Sequence, residues 1–322
     1  MSFEKEQEMA KKAVLSASVL CEQIRRDLAP EALEKDDGTP VTVADFVSQA
    51  LICKIISETF PSASIIAEED ASTLRKPANR SLLIQVTGYL KRVIQGVTPE
   101  QVLSWIGRGQ GEVKDRFWVL DPVDGTKGFL RGGQYAVALA LIEGKTVKLG
   151  CLGCPELPLK MAAIHQKKGM LFSAVRGEGS CMRAFGDTRE DPLEVYQKDQ
   201  LSDLISVESF EASHSDQSGQ EAVARSLGLK LPPVRMDSQA KYGVVARGEA
   251  VLYLRLPSPE SADYREKIWD HAAGSLIVEE AGGRVTDTAG YPLDFSQVPE
   301  MRKNRGLVVS NGKIHDKVLA AL

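Results

Sequence analysis

Apolar residues recur at three- and four-residue intervals along the first part of the chain. Between Glu4 and Leu28, the residues Ala13, Ala17, Leu20, Ile24 and Leu28 fall on one face of an amphipathic helix, and Pro30 helps to end it. Asp36-Asp37-Gly38-Thr39-Pro40 reads as a turn. Thr42-Val43-Ala44-Asp45 has the form of an N-terminal cap, leading into a second helix through Ala50, Leu51 and Ile55 that stops before Pro61. Ser64 to Ala67 is a short apolar run that breaks into Glu68-Glu69-Asp70. The largely polar stretch from Ala71 to Lys114 predicts two helices, the second opened by Thr98-Pro99-Glu100 with proline at the first helical position. Arg116 to Leu120 is a further strand, and it too runs straight into acids.

Tyr135 to Phe185 predicts an antiparallel meander, with apolar, β-rich runs separated by Glu143-Gly144, Lys167-Lys168-Gly169 and Gly177-Glu178-Gly179. After a charged loop the pattern changes. Strands at Leu204–Val207, Val251–Leu256 and Leu307–Ser310 alternate with helical stretches near Gln217–Leu227, Ser238–Arg247 and Ile268–Ala281. That alternation predicts an α/β half. The expected organisation is an α+β domain over residues 1–200 and an α/β domain over residues 201–322.

Composition narrows the functional classes. Apolar residues are 43% and charged residues 26% of the 322, ordinary for a globular chain with a sizeable core. A formal net charge of −4 argues against broad attraction to nucleic acid or acidic membranes, so neither is an expected partner. No stretch reaches the ~18 apolar residues needed to span a bilayer, and the first residues lack a signal peptide's basic and apolar regions. The reading expects a cytoplasmic monomer, or an organellar protein if a transit peptide has been removed. Five scattered cysteines suggest reduced thiols. Cys151 and Cys154 form a C-x-x-C within an apparent strand, where residues three apart face opposite sides, so both are expected to be structural.

The most informative segment is Trp118-Val119-Leu120-Asp121-Pro122-Val123-Asp124-Gly125-Thr126. Two carboxylates three residues apart leave the end of an apolar strand. Proline and glycine then force a turn that can bring both side chains and an intervening carbonyl to one point. Hard divalent cations prefer such oxygen ligands, and Mg²⁺ keeps positions for water and substrate phosphate. Thr126 follows where a hydroxyl and free N–H groups can meet phosphate. Asp-Pro-x-Asp-Gly alone is equally a tight turn. Glu68 at another strand end, Asp270 at the start of an apolar helix and Asp45 beside a helix cap tip the balance, because clustering these acids is costly without a cation.

The combination of Ala67-Glu68-Glu69, Asp121-Pro122-Val123-Asp124-Gly125-Thr126 and Trp269-Asp270-His271-Ala272-Ala273-Gly274 resembles the lithium-sensitive phosphomonoesterase superfamily. That superfamily includes inositol monophosphatases, inositol polyphosphate 1-phosphatases, fructose-1,6-bisphosphatases and 3′(2′),5′-bisphosphate nucleotidases. The resemblance spans essentially the whole chain and implies an α/β (α+β) fold, a layered α-β-α-β-α sandwich. It implies two or three Mg²⁺ ions held by Glu68, Asp121, Asp124, Asp270 and the Val123 carbonyl, with Asp45 and Thr126 activating the attacking water.

Four further segments resemble the nucleotidase branch: Lys127–Gly132, Glu208–His214, Asp237–Gly243 and Tyr264–Asp270. The resemblance assigns nucleotide binding to His214, Ser238, Lys241 and Arg255, with Thr126 and Asp270 also touching substrate. On a helix, Ser238 and Lys241 would share one face, and lysine and arginine could hold a second phosphate away from the metals. His271 is read as a packing or orienting residue, and Trp118, Trp269 and Tyr135 as packing beside the site. The implied reaction is hydrolysis of the 3′-phosphate of adenosine 3′,5′-bisphosphate, extending to 3′-phosphoadenosine 5′-phosphosulfate. Two readings compete: an inositol polyphosphate 1-phosphatase, and a non-enzymatic sensor of the bisphosphate.

Overall fold

The computed structural model describes residues 2–27, 32–35, 40–162, 168–198, 204–210, 216–257 and 264–322. Helices are α1 (Glu4–Asp27), α2 (Val43–Thr59), α3 (Ser72–Arg75), α4 (Arg80–Lys91), α5 (Pro99–Gly107), α6 (Thr126–Leu130), α7 (Gln217–Ser226), α8 (Ala240–Ala246), α9 (Ala272–Glu280) and α10 (His315–Ala321). Strands β1 (Leu33–Glu34) and β2 (Pro40–Val41) form a small antiparallel pair. A seven-stranded sheet takes β3 (Ser64–Ala67), β4 (Arg116–Asp124), β5 (Ala136–Glu143), β6 (Thr146–Pro158), β7 (Lys168–Val175), β8 (Gly179–Ala184) and β9 (Asp191–Pro192) in sequence order. The remaining strands are β10 (Ile205–Glu208), β11 (Val234–Arg235), β12 (Ala250–Arg255), β13 (Arg284–Thr286) and β14 (Leu307–Ser310), paired in the order β11-β10-β12-β14-β13.

Alternation along the strands builds the layers. Trp118 and Leu120 of β4 face one core with Leu139, Leu149 and Cys151, closed by the apolar faces of α1, α2, α4 and α5. Phe117 and Val119 face the opposite core, where α8 and α9 fill the space between the two sheets. Tyr253 and Val309 bound that middle layer from the five-stranded side, while Leu252, Leu254 and Val308 turn outward to Val223 of α7 and Val318 of α10. The result is the expected α-β-α-β-α sandwich. α2 is apolar almost all round and buried from Val43 to Cys53, as an inner helix must be.

The meander is antiparallel from β5 to β8 as its turns predict. The C-terminal sheet is mixed: β10 runs parallel to β11 and β12, whereas β14 is antiparallel to β12 and β13. Cys151 and Cys154 lie in opposite cores, buried and unpaired. The predicted turn at Asp36–Thr39 lies outside the described residues. No described helix is long and apolar enough to cross a membrane.

Candidate active site

Strand pairing explains how separate acids meet. β3 and β4 are parallel with Ala67 opposite Leu120, so Glu68 and Asp121 emerge side by side at the carboxyl ends of adjacent strands. Pro122, which has no N–H to donate, sits where the β4–β5 register shifts between Asp121 and Asp124. The irregularity turns Asp124 back towards Asp121. Gly125 then adopts φ +84° and the chain enters α6 at Thr126. Asp270 arrives from the other half, in a 3-10 turn spanning Ile268–Asp270. One carboxylate oxygen from each of Asp121, Asp124 and Asp270 lies within 4.8 Å of the others.

The electrostatics of this cluster fit a cation. Burial, then the like charges of Glu68, Asp124 and Asp270, push Asp121 well above the usual carboxylate range. Burial and Asp124 do the same to Asp270. Asp124 is raised by burial, against the opposing pull of Lys241. Asp121 is 2% exposed, and its Oδ1 has no hydrogen-bond partner among the described residues. A buried, partnerless carboxylate oxygen facing two more carboxylates is what a hard, oxygen-preferring cation would satisfy.

This charge imbalance has a testable consequence. Burial raises Asp45 to about 6 and, with Glu68 beside it, Glu69 to about 8. Unfolded carboxylates titrate near ~4, so between that value and those the folded chain holds more protons than the unfolded chain. Stability then falls as pH rises. Metal-free protein is expected to melt at progressively lower temperature from about pH 5 to about pH 8, with magnesium flattening the slope. His315 works the other way, because burial holds it down at about 4, but it lies apart from the acids and contributes equally with and without metal. Identical slopes in EDTA and in magnesium would count against a cation at this cluster.

Asp45 is placed by its own helix cap. Thr42 is the N-cap of α2, and the Thr42 N–H and Oγ1 donate to Asp45 Oδ2 at 2.8 and 2.6 Å. Asp45 Oδ1 is left facing Thr126 Oγ1 at 3.4 Å, while Val123 O accepts from the same hydroxyl at 3.2 Å. Asp45, Thr126 and Val123 therefore share one hydrogen-bonded cluster. A residue the sequence did not suggest also enters. Lys35 Nζ donates to Glu68 Oε1 at 2.9 Å and Glu69 Oε1 at 2.6 Å, and these acids raise its pKa against the effect of burial. It sits in an unremarkable charged stretch, and only the β1–β2 hairpin brings it to the acids.

The second half contributes cations. Lys241 is 3% exposed, donates to Met236 O at 3.2 Å and lies 5.1 Å from the Tyr253 ring centroid. Burial lowers its pKa to about 8, with Asp124 the strongest opposing charge. Arg255, at the end of β12, pairs with Glu266 at 2.9 Å. Ser238 does not share a helix face with Lys241, because α8 begins only at Ala240. Ser238 instead adopts φ +69°, and its Oγ accepts from the Ala240 N–H at 3.2 Å. This strained conformation packs it against Gly125, where an added Cβ would lie 3.1 Å from Ser238 Cβ. His214 lies outside the described residues.

Several contacts link the metal motif and its flank to later segments of the chain. Gln239 N donates to Asp124 Oδ2 at 2.6 Å, its Nε2 to Trp269 O at 2.9 Å, and its Oε1 accepts from Gly274 N at 3.1 Å. Gln239, through its backbone N–H and its side chain, thus ties the metal motif to the segment carrying Asp270. Arg131 pairs with Asp237 at 2.8 Å nearby. Gly128 allows this approach, since a Cβ there would lie 2.1 Å from Gln134 O and 2.6 Å from Asp237 Oδ2. Glu266, Asp270 and His271 form a second acidic grouping. Both His271 ring nitrogens are already engaged, Nδ1 with Tyr242 Oη at 2.8 Å and Nε2 with Glu266 Oε2 at 3.0 Å. Trp118 and Tyr135 are buried in the outer core.

A five-layer sandwich with convergent acids at its strand ends defines a carboxylate-centred α/β protein. The model of the inositol monophosphatase family matches residues 5–322. The chain belongs to that family, whose members depend on metal. An Emericella nidulans protein named 3′(2′),5′-bisphosphate nucleotidase is 42% identical over 350 residues, covering 100% of this chain and 98% of the relative. An Arabidopsis thaliana protein named 3′(2′),5′-bisphosphate nucleotidase 1 is 41% identical over 344 residues, covering 100% and 96%. Among solved structures, a Thermotoga maritima IMPase matches with a TM-score of 0.67 at 21% identity, over 98% of this chain and 95% of that one. CysQ from Bacteroides thetaiotaomicron matches with a TM-score of 0.61 at 20% identity, covering 97% and 98%. These structures support the fold, and the family resemblance read from the three acidic motifs is borne out.

Proposed function

We propose that this chain hydrolyses the 3′-phosphate of adenosine 3′,5′-bisphosphate to AMP and phosphate, and acts likewise on 3′-phosphoadenosine 5′-phosphosulfate. The observation that carries this reading is full-length similarity at about 40% identity to proteins named for that reaction, in a chain that brings Asp121, Asp124 and Asp270 together.

Glu68, Asp121, Asp124, Asp270 and the Val123 carbonyl would hold two or three magnesium ions, which when bound supply positive charge to the reacting phosphate. Asp45 accepts a proton from the attacking water. Its Oδ2 is committed to Thr42, so the proton goes to Oδ1, which faces the Thr126 hydroxyl at 3.4 Å, and that hydroxyl orients the water. The water oxygen bonds to phosphorus as the bond to the ribose 3′-oxygen breaks, and that oxygen takes a proton from solvent water to leave the 3′-hydroxyl on AMP. Thr126 and Asp270 also contact the substrate. Lys241 and Arg255, with Ser238 and His214, bind the nucleotide and its second phosphate.

Lys241→Ala tests the nucleotide side. A charge-assisted contact is worth about 1.5–3 kcal/mol, so kcat/KM for adenosine 3′,5′-bisphosphate should fall roughly ten- to a hundredfold. Adenosine 3′-monophosphate should be spared, and Lys241→Met should behave alike because it preserves the buried volume. Equal losses on both substrates would assign Lys241 to structure instead. Faster release of phosphate from inositol 1,4-bisphosphate than from the nucleotide would favour the inositol reading. Bisphosphate binding without phosphate release would favour a sensor. Millimolar lithium should inhibit in the presence of magnesium, and activity unchanged by lithium would separate this site from its superfamily.

A further inference from the structure

The two candidate substrate cations do not stand alone. Arg255 Nε lies 2.9 Å from Glu266 Oε1, off the line of a good hydrogen bond, so the contact is an ion pair rather than a directed bond. The other Glu266 oxygen is 3.0 Å from His271 Nε2, and His271 Nδ1 is 2.8 Å from Tyr242 Oη. A carboxylate only accepts, so Nε2 carries a proton towards Glu266. Tyr242 meets Tyr253 edge-on, with centroids 5.5 Å apart and an interplanar angle of 84°. Lys241 Nζ lies 5.1 Å from that Tyr253 ring. Tyr253 and Arg255 are two apart on β12 and so project to the same side. His271 and Tyr242 are each 1% exposed, and the Glu266 side chain 12%. Tyr242 can lie this close to α9 because position 274 is glycine, where a Cβ would fall 2.4 Å from its ring.

A carboxylate in a pocket that must receive a phosphate is at first sight unhelpful. It repels the ligand and offsets part of the charge of Arg255. Its placement makes sense if orientation matters more than net charge. Arginine carries several rotatable bonds, and ordering such a side chain at the moment of binding is costly. An ion pair on Nε restrains the guanidinium in advance of the phosphate's arrival. The His271–Tyr242 chain holds the carboxylate in turn.

We propose that Glu266 is a positioning residue for the substrate's second phosphate, preorienting Arg255 and, through His271, Tyr242 and Tyr253, the wall on which Lys241 rests. The inference rests on the reading of Arg255 and Lys241 as the second-phosphate cations.

The sign of one effect tests it. If Glu266 only repels the anion, Glu266→Gln should lower KM for adenosine 3′,5′-bisphosphate. If it positions Arg255, the same variant should raise KM about tenfold with kcat changed less than about twofold. Adenosine 3′-monophosphate kinetics and magnesium dependence should stay as in the parent. Glu266→Asp retains the charge and should recover part of the loss. In an Arg255→Ala background, the effect of Glu266→Gln should shrink to the part that reaches Lys241. Thermal melting of each variant reports folding separately. A fall in KM, or equal kcat losses on both substrates, overturns the positioning role. Loss of discrimination in Arg255→Ala without loss in Glu266→Gln also overturns it, while leaving the cation assignment intact. Arg255→Ala with normal KM for the bisphosphate removes the underlying reading itself.

Discussion

Asp121→Asn is expected to reduce turnover by about a thousandfold or more at saturating magnesium while leaving the fold intact. Asp121 lies against Asp124 and Asp270, and one of its oxygens is buried without a partner among the described residues. Neutralising it weakens the hold on cations that supply several kcal/mol to a phosphoryl transfer, and about 4 kcal/mol is a thousandfold in rate. The same change should stabilise the metal-free protein, because it removes a buried charge from a cluster of like charges. The melting temperature in EDTA should therefore rise, by about 2–4 °C for each kcal/mol relieved, and the increment gained on adding magnesium should shrink. Near-normal rates, or a metal-free protein that melts lower than the parent, would falsify the metal assignment.

The second large effect is expected at Asp45. Asp45→Asn keeps the size of the side chain and a partner for Thr42, but removes the proton acceptor, a loss of about 10²–10⁴ in kcat for a general base. The parent enzyme should show an acid limb with a midpoint at about 6, since Asp45 must be ionised to act. Burial raises that midpoint first, and the negative Glu68 adds to it, against the Thr42 hydrogen bonds. Cations that offset the Glu68 charge should move the limb to lower pH as magnesium is raised. Asp45→Asn should lose the limb altogether. A variant that keeps both its rate and its acid limb would place the base elsewhere.

Much of this molecule is legible without coordinates, because its local rules agree with its fold. The helix period of α1, the Thr42 and Thr98 caps and the hairpin glycines each depend on neighbours a few residues away. So does the Asp121–Thr126 turn, where proline, glycine and two acids meet within six positions. The resemblance extended this to Glu68 and Asp270, which no spacing rule connects. It could not describe Ser238, whose φ of +69° depends on packing against Gly125 from the other half of the chain.

What the sequence determined by itself was therefore most of the longer elements, the acids at their ends and the family to which they belong, since periodicity, capping and turn chemistry act over short distances. Only the tertiary structure decided which distant charges meet. Glu68 stands beside Asp121 because β3 and β4 are parallel in one register. Lys35 reaches Glu68 from a hairpin, 33 positions away along the chain. Glu266 links Arg255 to His271 because β12 and the segment before α9 pack against one another. Coulomb and hydrogen-bond energies depend on separation in space, and chain position sets that separation only after the sheets have stacked.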